Sequence, residues 1–251
     1  MAPIGESWRD VPDDPGLKQT ARVGPHGPYV GAAWRRPRRF ARHPGLEALL
    51  QTLSRAHGPQ RWWPAETPFE VVVGAVLTQN TSWNNVELAL GRLRALDVLS
   101  PARLVALEPD FLEEALRPSG TYRAKARKLA AVSRWYLRAG GLATLRTRPL
   151  DPLRAELLAV HGIGPETADA ILCYALSRPV PIVDVYARRV LERHALVPVG
   201  LPYDSLRSWL VEALAPGLLV AQEFHALVVR TGASACKPVP RCDDCPLPTP
   251  S

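Results

Sequence analysis

Two glycines set the tightest constraint on this chain. In Leu157-Leu-Ala-Val-His161-Gly162-Ile163-Gly164-Pro165-Glu166-Thr167-Ala168-Asp169-Ala170-Ile171-Leu172, Gly-Ile-Gly separates two segments of helical character, and Pro165 and Glu166 sit where the first turn of the second helix begins. The connection is too short for anything except a helical hairpin. Without a Cβ, the turn backbone can approach a partner closely, and amide N–H groups at a helix start form an anion site that fits one phosphate. A plain turn would use the same glycines, so this stretch alone leaves both readings open.

The rest of the chain follows the same helical rule. Leu46, Leu49, Leu50 and Leu53 recur at helical spacing between Pro44 and Gly58, and Phe69 to Leu77 is a buried apolar run. A second stripe runs through Val86, Leu90 and Leu93, and Ser100-Pro101 and Asp110 with Glu113 are start signals. Segments 123–137, 152–160, 166–175, 185–194, 205–214 and 221–230 continue the series, and no alternating strand pattern interrupts it. These features predict an all-α fold of about ten helices with short loops.

Residues 1–43 are rich in Pro, Gly and Arg without apolar periodicity, which predicts a disordered basic arm. The 251 residues carry 31 Lys and Arg against 24 Asp and Glu, a net charge of +7. Only four of the positive side chains are lysines, so most of the charge is guanidinium, which grips phosphate with two parallel hydrogen bonds. That balance suits a nucleic-acid partner, although a solvated Arg-rich surface would look the same. No apolar run reaches the roughly 20 residues needed to cross a bilayer, and no secretory signal opens the chain, so the expectation is a cytoplasmic protein without a membrane partner, nucleoid-associated where its partner is nucleic acid.

Asp184 ends the apolar run Pro179-Val-Pro-Ile-Val and begins the next helix. An N-cap role, worth on the order of 1 kcal/mol, accounts for it. The same carboxylate, half enclosed by apolar neighbours, can also stabilise a cationic sugar and orient a water. Trp62, Trp63, Pro64 and Trp83 flank the first apolar run, as core or as a stacking pocket. Gln79, at the end of that run, is either a helix cap or a side chain presented outward.

Taken together, the hairpin with Asp184 eighteen residues after Glu166, the block Phe69-Glu-Val-Val-Val-Gly-Ala-Val-Leu-Thr-Gln79-Asn80-Thr81, Gly120-Thr-Tyr-Arg-Ala-Lys125-Ala126 and the terminal cysteines resemble the endonuclease III superfamily of DNA glycosylases over residues 44–245. Trp-Trp-Pro and Gly-Pro-Glu-Thr-Ala-Asp-Ala-Ile-Leu are most similar to its 3-methyladenine DNA glycosylase III branch. The resemblance implies a two-lobed helix-hairpin-helix fold. One lobe is a six-helix barrel over 61–178; the other is built from 44–60 and 179–251 and holds the catalytic Asp and the cysteine loop, with damaged double-stranded DNA between them.

It further implies that Asp184 is catalytic and that Trp62, Trp63, Pro64, Trp83 and Glu166 line the base pocket. Gln79, His161, Gly162, Ile163, Gly164 and Thr167 would contact DNA, with Gln79 filling the gap left by the extruded base. In endonuclease III the position of Glu166 is a lysine that forms an imine with the sugar; a carboxylate cannot, which points to a monofunctional enzyme with weak or absent lyase action. Lys125 is left as a surface or phosphate-binding residue. The competing readings are an endonuclease III-like pyrimidine-damage glycosylase and lyase acting through Lys125, and a non-catalytic damage binder. The family's look is monomeric.

Cys236-x5-Cys242-x2-Cys245 resembles the superfamily's iron–sulfur loop, one residue short in its first spacing and with Ser251 at the fourth-ligand position. The resemblance implies a [4Fe-4S] cluster on three cysteines. Zinc, with His225 or a carboxylate as fourth ligand, and a loop without metal are the alternatives.

Overall fold

The computed structural model describes residues 37–60 and 62–249. The arm up to residue 36, Arg61 and Ser251 lie outside the described residues. Among those described there are twelve α-helices and no strand. We number them α1 (Pro44–His57), α2 (Pro68–Leu77), α3 (Trp83–Ala95), α4 (Pro101–Ala106), α5 (Pro109–Leu116), α6 (Tyr122–Arg138), α7 (Gly141–Thr147), α8 (Leu150–Leu158), α9 (Pro165–Ala170), α10 (Val185–Arg193), α11 (Tyr203–Ala213) and α12 (Leu218–Ser234). A π-helical turn, Ile171–Ala175, extends α9. No helix among them is long and apolar enough to cross a membrane.

The helices begin where the local chemistry provides a cap. Thr67, Ser100 and Asp184 accept from the N–H three residues on, and Pro44, Pro68, Pro101, Pro109 and Pro165 occupy first-turn positions where a missing N–H costs nothing. The helix that the sequence pattern missed, α7, is short and entered through Gly140 and Gly141, whose φ angles are +87° and +71°. Paired left-handed glycines read as a loop, and they make the sharp break that lets α7 follow α6 directly.

Residues 40–43, which composition assigns to the arm, are folded. Phe40 and Ala41 are fully buried, their N–H groups both donate to Glu47 Oε2 at 2.7 Å, and Ala41 pairs with Leu214 in an isolated bridge. Arg42 and His43 donate to the Ala213 carbonyl. The arginines on either side of Phe40 hid an apolar anchor, so residues 40–43 belong to the folded core.

The described chain divides into two compact units, one over Ala65–Ile171 and the other combining residues up to Pro64 with those from Leu172 onward. In the first, α2 is buried along its whole length, and Phe69 meets Tyr136 of α6 edge-on at 5.5 Å between ring centres. Glu70 lies in this interior and is paired with Arg94. Burial pushes its carboxyl above the usual range, against the opposing pull of the Glu66 N–H and Arg94. In the second unit, Leu46, Leu49, Leu50 and Leu53 of α1 pack with Val190 and Leu191 of α10, Leu206 and Leu210 of α11, and Phe224, Leu227 and Val228 of α12. At Gly232, an added Cβ would lie 2.4 Å from Tyr186, so this glycine allows α12 to press against α10. The close approach offsets the roughly 0.5–1 kcal/mol that a mid-helix glycine costs.

Candidate functional site

Within the second unit, four side chains form a row that ends on Asp184. Its residue has extended backbone as the N-cap of α10, and Oδ1 accepts from the Ala187 N–H at 2.6 Å. Val180, Ile182 and Val183 before it are buried, and Asp184 itself retains 8% exposure. Its second oxygen, Oδ2, lies 3.6 Å from Nε2 of His225. The other ring nitrogen of His225 is 2.8 Å from the Tyr174 hydroxyl, which also donates to the Gln222 carbonyl at 3.2 Å. Tyr174 in turn meets Trp63 at 5.4 Å between ring centres, and Trp63 meets Trp62 at 5.7 Å. Trp63 is buried, whereas Trp62 and Pro64 are half-buried.

His225 and Tyr174 were not foreseen as neighbours of the aspartate. His225 lies inside an apolar helix and Tyr174 in the π-turn, and neither stands at a spacing from Asp184 that a sequence pattern can express. The zinc alternative that placed His225 with the cysteines is corrected by this geometry: its ring is committed to Asp184 and Tyr174.

The hairpin belongs to the first unit. It is braced from within by Arg154 of α8, whose guanidinium grips the fully buried Asp169 of α9 through two bonds of 2.8 and 3.2 Å. Gly162 has φ +78°, and a Cβ there would lie 2.3 Å from Cγ of Lys128, so both the turn and the neighbour require glycine. Among the described residues, its chain neighbours aside, nothing lies within 4 Å of the corresponding point at Gly164, which leaves that backbone open to approach from outside. His161 and Glu166 are exposed, Ile163 and Thr167 buried.

Gln79 does not cap its helix; Thr78 occupies that place. Its carboxamide instead reaches the hairpin, donating to the Gly162 carbonyl at 3.1 Å and to Thr167 Oγ1 at 3.0 Å while Oε1 accepts from Lys128 Nζ at 2.5 Å. Trp83, half-buried at the first position of α3, lies in the same unit.

Lys125 differs from the sequence expectation. It is 1% exposed, and its amine donates to the carbonyls of Leu77 at 2.8 Å and Ser119 at 2.5 Å, tying the end of α2 to the turn before α6. It is neither a surface residue nor one that can reach a phosphate or a sugar, because the aliphatic stem of α6 packing draws the amine inward to orphan carbonyls. Burial, with Lys128 pushing the same way, lowers its ammonium from 10.5 to about 8. Between those values the folded chain binds fewer protons than the unfolded one, so the contribution of Lys125 to stability rises with pH from about 8 to 10.5 and is flat below. At about 1.4 kcal/mol per unit the gain has an upper bound of about 3 kcal/mol, reduced by the two carbonyls, which favour the charged form. Comparison of urea denaturation at pH 8 and pH 10.5 should show this rise in the parent chain and its loss in Lys125→Met.

The cysteines lie in the second unit, beyond α12. Cys236, Cys242 and Cys245 line one hollow of about 220 Å³ together with Arg193 and Arg241. From α10, Arg193 donates to Cys236 Sγ at 3.3 Å and to the Lys237 carbonyl at 2.6 Å, and Arg189 donates to the Cys236 carbonyl at 2.9 Å. Among the described residues no three His, Cys, Asp or Glu side chains converge closely enough for a single metal ion. Three thiols on one hollow are donors of the kind that an iron–sulfur cluster or a zinc ion takes.

An all-α fold with a helix-hairpin-helix and a capping aspartate after it defines a class of DNA glycosylases, and comparison with known proteins agrees. Residues 73–208 match the model of the HhH-GPD superfamily base excision DNA repair proteins. A Methanocaldococcus jannaschii protein named as a DNA repair glycosylase is 40% identical over 194 residues, which cover 76% of this chain and 88% of that one. Among solved structures, the 3-methyladenine DNA glycosylase of H. pylori bound to 1,N6-ethenoadenine superposes with a TM-score of 0.65 and 28% identity, covering 74% of this chain and 95% of that one. A trapped endonuclease III–DNA covalent intermediate shares the fold, with a TM-score of 0.67 at 24% identity over 79% and 90% of the two chains. The chain belongs to the HhH-GPD superfamily and is a base-excision DNA repair glycosylase.

Proposed function

We propose that this glycosylase is monofunctional and acts on alkylated purines in double-stranded DNA. The observation that carries the reading is the Asp184 carboxylate, buried at the start of α10 with Oδ1 held by Ala187 and Oδ2 beside His225. As the glycosidic bond lengthens, its electrons leave with the base and positive charge grows on the sugar. A fixed carboxylate stabilises that charge and takes the proton of the water that adds to the anomeric carbon.

Two features support the absence of strand cleavage. Glu166 stands in the hairpin where an amine would be needed, and Lys125 is sequestered on two carbonyls. Trp62, Trp63, Pro64 and Trp83 serve as the base pocket, where indole faces favour a cationic alkylpurine. The relative that binds ethenoadenine agrees with a modified purine. Gln79, with His161, Gly162, Ile163, Gly164 and Thr167, meets the DNA at the hairpin, and Glu166 borders the base. Cys236, Cys242 and Cys245 would hold a [4Fe-4S] cluster, which when bound shapes the loop that Arg189 and Arg193 anchor.

The test is release of free base from alkylated duplex DNA, with the strands run on a gel before and after alkali, and borohydride added in parallel. Free alkylpurine, breaks only after alkali and no covalent adduct are expected. A borohydride-trapped adduct would overturn monofunctionality. Failure to release any base despite tight binding would shift the substrate to oxidised pyrimidines or the protein to a non-catalytic binder.

A further inference from the structure

Arg134 and Arg138 lie one turn apart on α6, both exposed, and no hydrogen bond or ion pair engages either guanidinium among the described residues. They border a hollow of about 410 Å³ whose opposite wall is Ala159, Val160 and His161, the entry to the hairpin turn. Elsewhere on α6, one to two turns nearer its start than Arg134, Lys128 lies against Gly162 and reaches Gln79, so a third positive side chain stands beside the hairpin turn. Glu156 is the one carboxylate on the hollow's lining, and its charge is already engaged: the bond from Arg148, which meets it through both guanidinium nitrogens, holds its carboxyl below the usual range. What faces solvent is therefore cationic and concave, with planar donors suited to a phosphodiester.

We propose that this hollow is a second backbone-phosphate site, which extends the DNA track from the hairpin turn along α6. It rests on the reading that the hairpin binds duplex DNA, and it adds contacts beyond the turn itself. Contacts of this kind position a duplex without reading its sequence, so the site serves any lesion the enzyme accepts.

The experiment is the salt dependence of binding to an undamaged duplex, measured by anisotropy with the full chain. Each phosphate contact contributes about 0.9 to the slope of log K against log salt. The double variant Arg134→Ala/Arg138→Ala should bind more weakly and lose about 1–2 from that slope, while single-turnover base release at saturating enzyme and low salt stays within about twofold. A control pair that removes the same charge elsewhere, Arg55→Ala/Arg92→Ala, should leave the slope near the parent value. An unchanged slope in the first pair, or an equal loss in the control pair, overturns the site and leaves the hairpin reading standing. A parent protein without salt-dependent duplex binding overturns both.

Discussion

Asp184→Asn should reduce single-turnover base release by about 10²–10⁴-fold while leaving DNA affinity within a few-fold of the parent. The substitution is chosen for what it preserves. Asn caps helices about as well as Asp, so the bond from the Ala187 N–H survives and the melting temperature should hardly move. What is lost is the negative charge and the ability to accept a proton from water. A loss of activity accompanied by unfolding would mean that Asp184 acts only as a cap. Undiminished release would remove it from the chemistry altogether.

The second large effect concerns the tryptophans, of which Trp63 is buried and Trp62 half-buried. Trp63 is 4% exposed between Trp62 and Tyr174, so Trp63→Ala should cost about 3–5 kcal/mol of stability through lost transfer energy and the cavity left behind. Trp62 is half-buried, and its truncation should cost much less in denaturant. Its expected cost falls on substrate: a cation–π contribution of about 1–2 kcal/mol corresponds to roughly a 5- to 30-fold weaker KM for a cationic alkylpurine, with little change for a neutral lesion. Equal losses on the two substrates would assign Trp62 to packing.

What could be read from sequence was whatever is local along the chain. The hairpin, Asp184 after an apolar run and the proline-led helix starts each need only neighbouring residues to be recognised. Relations across the chain were not legible in this way. His225 and Tyr174 reach Asp184 through the packing of the π-turn and α12, and no spacing announces it. Lys125 follows the same logic in reverse: lysine is normally a surface residue, and only the carbonyl ends of two other segments make an interior position tolerable. Phe40 was concealed by composition, since the basic residues around it outweigh one aromatic ring in any window average. Gln79 was correctly placed at the end of α2, yet its partners at Gly162, Thr167 and Lys128 come from two other elements.

The order in which the chain is made gives α1 an unusual position. Its leucines share a core with α10, α11 and α12, after the whole of Ala65–Ile171 has intervened. During synthesis at about 5–20 residues per second, the inserted unit can collapse on its own while α1 waits, on the order of ten seconds, with its apolar face uncovered. A chain cut short before α12 would leave α1 with part of its apolar face uncovered, a natural target for chaperones and proteases. Among the described helices, the latest to emerge thus completes the cover of the earliest.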